Sequence, residues 1–588
     1  MRPNAGGAVA ARPVGAVVAV PFTKRLRPYT LFPFIAILAF LLLYPLFMVI
    51  YGSFRGGPPG VASPWTIEGY VRAWSDPGTI KALGVTFGLA VPRVVLGTVF
   101  AVLMVWVIVR TNVPLRSFLE QALWFRVFLP ALPMTLSWVI LLSGRTGIIN
   151  RFWMETLGFG GPLFNIESMA GIVFLSTMMM GSMFYFFIGP AFRSMDASME
   201  ESSRTCGASN LTTLRRVTAP LMMPAILGAS LLILLAILAS YETELLLGAR
   251  KGIYVFTTYI WYQMGKSPVD YPAAMALSTI FMLFVAIIVF IQFKMLGGRK
   301  FVTVTGRGFA YRPTDLGRWR WAMFAFVMVY FLVITVLPLS VLIMGTFQKS
   351  WGIFSSAWTL DHWRAALASE SVLRSVKNTL ILGFGVATAN VVVYSLMSYA
   401  FVRTTLKGRQ LIEVLSWVPR AAPGIVMAVA FVWAILGGIP GIKFLYGTLL
   451  LMGIVLVLEA IPTGMRVMNA GMVQLASELE ESARVSGASW LQTMRKVVVP
   501  LLAPTLVSAW LLGFLFATRT LVTLLFIYAP SSKVLSIDIF EQWGTSGGGR
   551  WETAAVLGLM LTGITMVVAI VAQIVGNRAR RTMEMPSV

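Results

Sequence analysis

Apolar residues in this chain fall into runs of roughly 20 between charged or Pro/Gly-rich breaks, the length a helix needs to cross the ~30 Å hydrocarbon core of a bilayer. Lipid offers no hydrogen bonds, so such runs satisfy their backbone groups as helices. Twelve runs are legible, in two sets of six. The first set covers roughly 31–50, 84–109, 127–142, 171–189, 221–239 and 273–293. The second covers roughly 321–344, 380–402, 423–436, 449–464, 501–518 and 554–576. The third run of each set is short and carries proline. Only 12% of residues are charged and mean hydropathy is +0.81, so the fold class is an all-α polytopic membrane protein with about 12 transmembrane helices. Stretches between runs reach about 30 residues, too short to bury a core of their own.

Charge fixes an orientation. With the N-terminus placed in the cytoplasm, 30 of the 47 Lys and Arg residues lie on cytoplasmic segments, 16 on outside loops, and Arg93 within a run. Acidic residues split 10 to 12, with Glu459 inside a run, so the net charge is +20 inside and +4 outside. This bias sets both termini inside, on the cytoplasmic face of the membrane. The formal charge of +24 therefore follows topology beside an anionic leaflet and excludes a nucleic-acid partner, which would need one basic soluble face. Residues 1–28 read as a cytoplasmic tail ending in Lys24, Arg25 and Arg27. The run after it is too long for a signal-peptide core and reads as a retained span. One cysteine, Cys206, excludes an internal disulfide framework, and one histidine, His362, excludes a multi-histidine metal site.

The chain repeats itself. At an offset of 280, Met199–Ile226 aligns with Leu479–Leu506, with 14 of 28 positions identical. At an offset of 293, Pro45, Gly52, Phe54, Trp65, Thr66 and Thr86 pair with Pro338, Gly345, Phe347, Trp358, Thr359 and Thr379. Two repeats follow, 29–308 and 309–588. Six spans separate equivalent points, so the copies are parallel and related by an axis along the membrane normal, which is where a passage would lie.

The best-matched segment is polar and cytoplasmic, in loops 191–220 and 470–500. Glu200, Glu201, Ser202 and Arg204 sit on a short helix, Gly207 stands where a left-handed residue ends it, and Ala208 and Ser209 start a second, basic helix. Glu480, Glu481, Ser482, Arg484, Gly487, Ala488 and Ser489 repeat the arrangement. Pro220 and Pro500 are expected to open the fifth spans.

These residues resemble the signature loop of bacterial type I, binding-protein-dependent ABC importer permeases, whose pattern is Glu-Ala-Ala, three residues, Gly, nine residues, Ile-x-Leu-Pro. This chain has Glu201-Ser202-Ser203, Gly207 and Val217-Thr218-Ala219-Pro220, then Glu481-Ser482-Ala483, Gly487 and Val497-Val498-Val499-Pro500. The departures exchange small or apolar residues for one another. The resemblance implies the type I permease fold, with coupling helices that dock on two copies of an ATP-binding subunit, and an extracytoplasmic solute-binding protein. Fusion of both halves is similar to ferric-iron permeases, with fused thiamine permeases close by. Supporting segments are Tyr241-Glu242-Thr243-Glu244, Thr257-Thr258-Tyr259-Ile260-Trp261 and Tyr271-Pro272-Ala273-Ala274. Ferric iron is the preferred solute on that resemblance, with thiamine, polyamine or phosphonate as alternatives. Arg519-Thr520-Leu521 departs from the acidic residue expected there.

The only approach to a phosphate-cradling loop is Gly265-Lys266-Ser267, with Ile260 where the first glycine belongs. The chain is therefore not an enzyme, binds no cofactor or metal of its own, and leaves ATP and Mg to the partner subunit. No Ser/His/Asp set, metal cluster or carboxylate pair suggests catalysis.

Arg93, Glu242 and Glu459 are candidates for a pathway or gate. Arg93 is costly in mid-span and needs protein or water around it, with a carbonyl or nearby carboxylate as the structural alternative. Glu459 is expected to pair with Arg466, two turns on. Met178, Met179, Met180 and Met183 read as packing. Glu242, Glu244 and Asp270 share one outside loop, where they would attract a cation, contact a delivering protein, or simply be solvated. An ion-coupled secondary transporter is the rival reading, and it predicts several acidic residues within spans where this sequence offers Glu459 alone.

Overall fold

The computed structural model describes residues 32–193, 197–297, 313–350, 357–404, 408–544 and 550–584. The tail 1–28, with its basic cluster, lies outside the described residues. The first half contains α1 (Phe32–Ser53), α2 (Pro77–Arg110), α3 (Arg116–Phe128), α4 (Ala131–Leu142), α5 (Met169–Arg193), α6 (Ala197–Thr205), α7 (Asn210–Leu238), α8 (Glu242–Gly248), α9 (Phe256–Met264) and α10 (Tyr271–Gly297). The second half contains α11 (Trp319–Phe347), α12 (Glu370–Val402), α13 (Arg409–Ala421), α14 (Gly424–Trp433), α15 (Leu449–Gln474), α16 (Ser477–Val485), α17 (Trp490–Arg519), α18 (Leu535–Trp543) and α19 (Trp551–Glu584). Among the described residues no strand forms, and only isolated β-bridges occur.

Among the described residues ten helices are long and apolar enough to span a membrane, or up to 12 if each of two bent pairs is one span. In α1 apolar residues cover the whole circumference. Leu38, Leu42 and Val49 face the core while Ile37, Phe40, Leu43 and Phe47 stay exposed, as a helix between protein and lipid requires. The third span of each half is a bent pair: α3 meets α4 at 96°, and α13 meets the helix starting at Gly424 at 100°. Pro130 and Pro423 follow the breaks, and the residues before them, Leu129 and Ala422, are extended because a proline ring disfavours the helical conformation in its predecessor. Apolar runs alone register the arm after each bend and miss its amphipathic partner.

Pro220 and Pro500 stand in the first turn of the α-helical segments Ala219–Leu238 and Val499–Arg519, as expected. Each lies inside a longer helix just after a π turn, at 214–218 and 494–498, and a third π turn at 332–336 precedes Pro338 in the same register. Ala219 donates to the Leu214 carbonyl, five residues back, and the widened turn accommodates a ring that has no N–H to give.

The halves interlock. Span α1 packs on α14 of the second half, and the Leu337–Phe347 part of α11 packs on α4 of the first. Gly52 makes the first contact possible, since a Cβ there would lie 2.8 Å from the Trp433 ring. Duplicated residues also repeat their work. The Thr86 hydroxyl accepts from the Phe256 N–H at 2.8 Å, and the Thr379 hydroxyl accepts from the Leu535 N–H at 2.8 Å.

Candidate functional site

The two short helices α6 and α16 carry the repeated loop. Each ends in the same hydrogen-bonded cap. Gly207 and Gly487 both have φ +82°, Gly207 N–H reaches Arg204 O at 2.9 Å, and Gly487 N–H reaches Arg484 O at 2.8 Å. The next residues close the cap, Ala208 N–H on Ser203 O and Ala488 N–H on Ala483 O. Ser209 and Ser489 then accept from the N–H groups of Thr212 and Gln492, so a new helix starts at once.

Within this motif the two leading glutamates point inward. Glu200 is 2% exposed, takes the Arg110 guanidinium at 2.5 Å and accepts the Thr218 hydroxyl at 2.7 Å. Glu480 faces Arg403 at 3.4 Å, and Arg403 also donates to the Met472 and Leu475 carbonyls at the end of α15. Arg110 and Arg403 end α2 and begin the cap of α12, so each short helix is tied to the second span of its own half. Burial pushes the Glu480 carboxyl up, with Arg403 and Arg484 opposing. These glutamates therefore hold the loop and cannot be its outward contact. Ser202, Gly207, Glu481, Ser482, Arg484 and Gly487 are exposed, Glu201, Arg204, Ala208 and Ala488 half-buried. Sequence reading missed the apolar part of this face: Leu211 is 73% exposed, Val485 90% and Leu491 67%. Unpaired leucine and valine in a polar loop were the available signal.

The second site is a cavity of about 630 Å³ between the halves. Arg93, Glu242 and Glu459 all line it. Arg93 is 2% exposed and pairs with Glu244 at 2.5 Å, with the Ser240 hydroxyl bonded to both. The Glu242–Asp270 group proposed as one loop cluster is not together. Segment 241–248 folds into the bundle, so Glu244 is buried and Glu242 faces the cavity, while Asp270 pairs with Arg72 at 3.3 Å elsewhere. Glu242 faces the cavity beside the Leu521 backbone and Arg519. Glu459 does not pair with Arg466. It accepts the Thr523 hydroxyl at 2.7 Å, while Arg466 stacks on Trp417 at 3.7 Å, because seven residues of helix separate the two by about 10 Å along the axis. Interior carboxylates thus number three in this cavity, and not the single Glu459 expected.

Three further arginines line the cavity, and sequence reading gave none of them a place there: Arg126, Arg420 and Arg519. Arg126 and Arg420 stand in the last turn before the bend of their respective third spans. Met179, Met180 and Met183 also reach the wall.

A duplicated helical bundle with crosswise-packed halves, twin capped loops on one face and a charged cavity between the halves defines a polytopic all-α membrane protein. Residues 392–581 match the model of the family of binding-protein-dependent transport system inner membrane components, and the matched segment includes the whole second loop. The chain is 27% identical over 404 residues to FbpB 1 of Haemophilus influenzae, covering 68% of this chain and 62% of that protein. It is 26% identical to the ferric transport system permease protein FbpB of Actinobacillus pleuropneumoniae, covering 73% of this chain and 62% of the relative. The chain thus spans less than two thirds of those relatives. A spermidine/putrescine transport system permease protein of Haemophilus influenzae matches at 25% identity over 43% of this chain and 95% of its own length. Among solved structures, a bacterial ABC transporter importing alginate aligns at 17% identity and TM-score 0.37, over 44% of this chain and 96% of that one.

Proposed function

We propose that the chain is the membrane-spanning subunit of an ABC importer. It receives a solute from an extracytoplasmic binding protein and passes it to the cytoplasm by alternating access. Two copies of a separate ATP-binding subunit, holding ATP and Mg, drive the cycle. The observation that carries this reading is the matched pair of capped helices, each fastened by a Glu–Arg contact to the second span of its half. A pull on either loop is thereby delivered to a long spanning helix, and two loops moving together would rock the halves. The exposed apolar residues Leu211, Val485 and Leu491 supply the dry contact that docking on such a subunit needs. Ferric iron is the solute favoured by the named roles of the relatives, with thiamine, polyamine or phosphonate as alternatives.

The test is reconstitution with a candidate ATP-binding subunit. Val485→Asp with Leu491→Asp and Leu211→Asp is expected to abolish association while the chain stays inserted. Sustained ATP hydrolysis by the chain alone, or ATP-independent uptake, overturns the reading. The three interior carboxylates favour a second reading, an ion-coupled secondary transporter. Uptake that collapses with a protonophore yet survives ATP depletion would select it.

A further inference from the structure

The cavity between the halves bears on the chemistry of the cargo, and this inference rests on the importer reading for calling the ligand a cargo. Of its charged groups, Arg93 and Glu244 neutralise each other at 2.5 Å. Glu242 lies beside Arg519, whose charge opposes its own, and Arg519 spends two N–H groups on the Val127 and Phe128 carbonyls. Glu459 is engaged by Thr523. Arg126 and Arg420 remain, and among the described residues neither guanidinium has a carboxylate partner or a hydrogen bond.

Arg126 is 5% exposed, and its Nε is buried with nothing to accept from it. A guanidinium buried without a partner keeps an uncompensated desolvation cost, so it calls for a compensating group. This chain holds two, one from each half, at nearly equivalent places before the bends. Their neighbours on the wall include the hydroxyls of Ser176, Ser182 and Thr463, which serve oxygen ligands as donors. A guanidinium is a planar fork matched to two oxygens of a carboxylate or phosphate, and in a low-dielectric cavity that match is strong.

We propose that this cavity binds its solute through carboxylate or phosphate oxygens, with Arg126 and Arg420 contributed by the two halves as the contacts. A ferric ion would then enter wrapped in oxyanion ligands and not as a bare trication. Thiamine and polyamines, both cationic, would meet two uncompensated guanidinium groups. A phosphonate would fit without a metal.

The experiment uses the full chain in lipid nanodiscs, without any ATP-binding subunit. Saturable binding of citrate, inorganic phosphate, ferric citrate and spermidine is measured by calorimetry and by thermal shift. At least one of the three anions is expected to bind, with at least tenfold weaker binding in Arg126→Gln with Arg420→Gln. The lysine pair, Arg126→Lys with Arg420→Lys, keeps the charge without the fork and is expected to fall between wild type and the glutamine pair. It remains informative if the glutamine pair fails to insert. Ferric citrate binding more tightly than citrate assigns the oxyanion to a chelate, and the reverse assigns it to a free anion. Absence of all three anions from the cavity, binding of spermidine in their place, or anion binding unchanged in both variants overturns the proposal. Association with an ATP-binding subunit in a chain that binds no anion would remove this proposal and leave the importer reading intact. Anion binding without such association would do the opposite.

Discussion

The Arg519 guanidinium, at the end of α17, crosses to the other half and donates to the Val127 carbonyl at 2.8 Å, with a second N–H on Phe128 O. These carbonyls belong to the last turn of α3, where the 96° bend takes the chain away before any later N–H can reach them. The arginine that departs from the acidic residue expected at this point is thus the tie that lets the first-half bend exist inside the bundle.

Arg519→Ala is expected to leave two buried carbonyls unmet, at about 1–3 kcal/mol each. Thermal unfolding of the detergent-solubilised protein should show a clear drop, with faster proteolysis near the α3–α4 bend. A variant as stable as wild type would mean that water or another donor replaces the tie.

Arg93 and Glu244 form a pair with both side chains almost fully enclosed. Removing one partner from such a pair costs about 3–5 kcal/mol because the other is left buried and charged. Glu244→Gln should therefore destabilise strongly, and Arg93→Met with Glu244→Gln much less than the sum of the singles. Additive losses in the double-mutant cycle would show that the two side chains do not depend on each other.

The loop anchors are unequal. Arg110 meets Glu200 at 2.5 Å with 5% and 2% exposure, whereas Arg403 meets Glu480 at 3.4 Å with 12% and 10%. Glu200→Gln should loosen its loop more than Glu480→Gln, read as faster amide exchange over α6 than over α16. Equal exchange in the two variants would remove the mechanical distinction between the halves.

Asp76 gives a pH test on the face opposite the loops. Burial pushes its carboxyl up, but the Tyr259 hydroxyl at 2.5 Å, the Gly78 N–H, Gln263 and the nearby Lys266 outweigh that and leave it below the usual carboxylate range. A depressed folded value stabilises above the unfolded pKa and is lost as pH falls through the folded one. Thermal stability should accordingly decline below about pH 4, and Asp76→Asn should flatten that decline. An identical acid profile in the variant would assign the decline to other carboxylates.

Length and periodicity were enough to read the spans, because lipid demands the same apolar length wherever a helix crosses. The left-handed glycines were legible for a similar reason: a cap is a local event, and Gly207 and Gly487 announce it twice. Direction was not legible. Hydropathy reports that Ala131–Leu142 is apolar and is silent on the turn that sets it at 96° to α3. Partners distant in the chain were also hidden. Arg93 called for a carbonyl or carboxylate partner, or water, on physical grounds, yet Glu244 lies 151 positions away in what reads as a solvated loop, and Arg519 is 392 positions from Val127. Glu200 looked outward because a charged residue in a polar loop usually is; only the placement of Arg110 beside it turns it inward.

The sharpest test of the loops lies in their glycines. Both sit at φ +82°, and a Cβ built at either would meet nothing within 4 Å. Alanine there carries only the conformational cost of the left-handed region, about 1–2 kcal/mol, with no clash. Proline is different in kind, since its ring locks φ near −65° and removes the N–H that Gly207 gives to Arg204 and Gly487 gives to Arg484. Gly207→Ala with Gly487→Ala should leave insertion intact and uptake reduced only in part. Gly207→Pro with Gly487→Pro should unlatch both caps, turn the following helices away from their register, and abolish uptake. The spans do not depend on these caps, so the proline pair is expected to insert normally, as checked by protease accessibility of the loops in membrane vesicles. Normal transport by an inserted proline pair would show that neither capped helix transmits force.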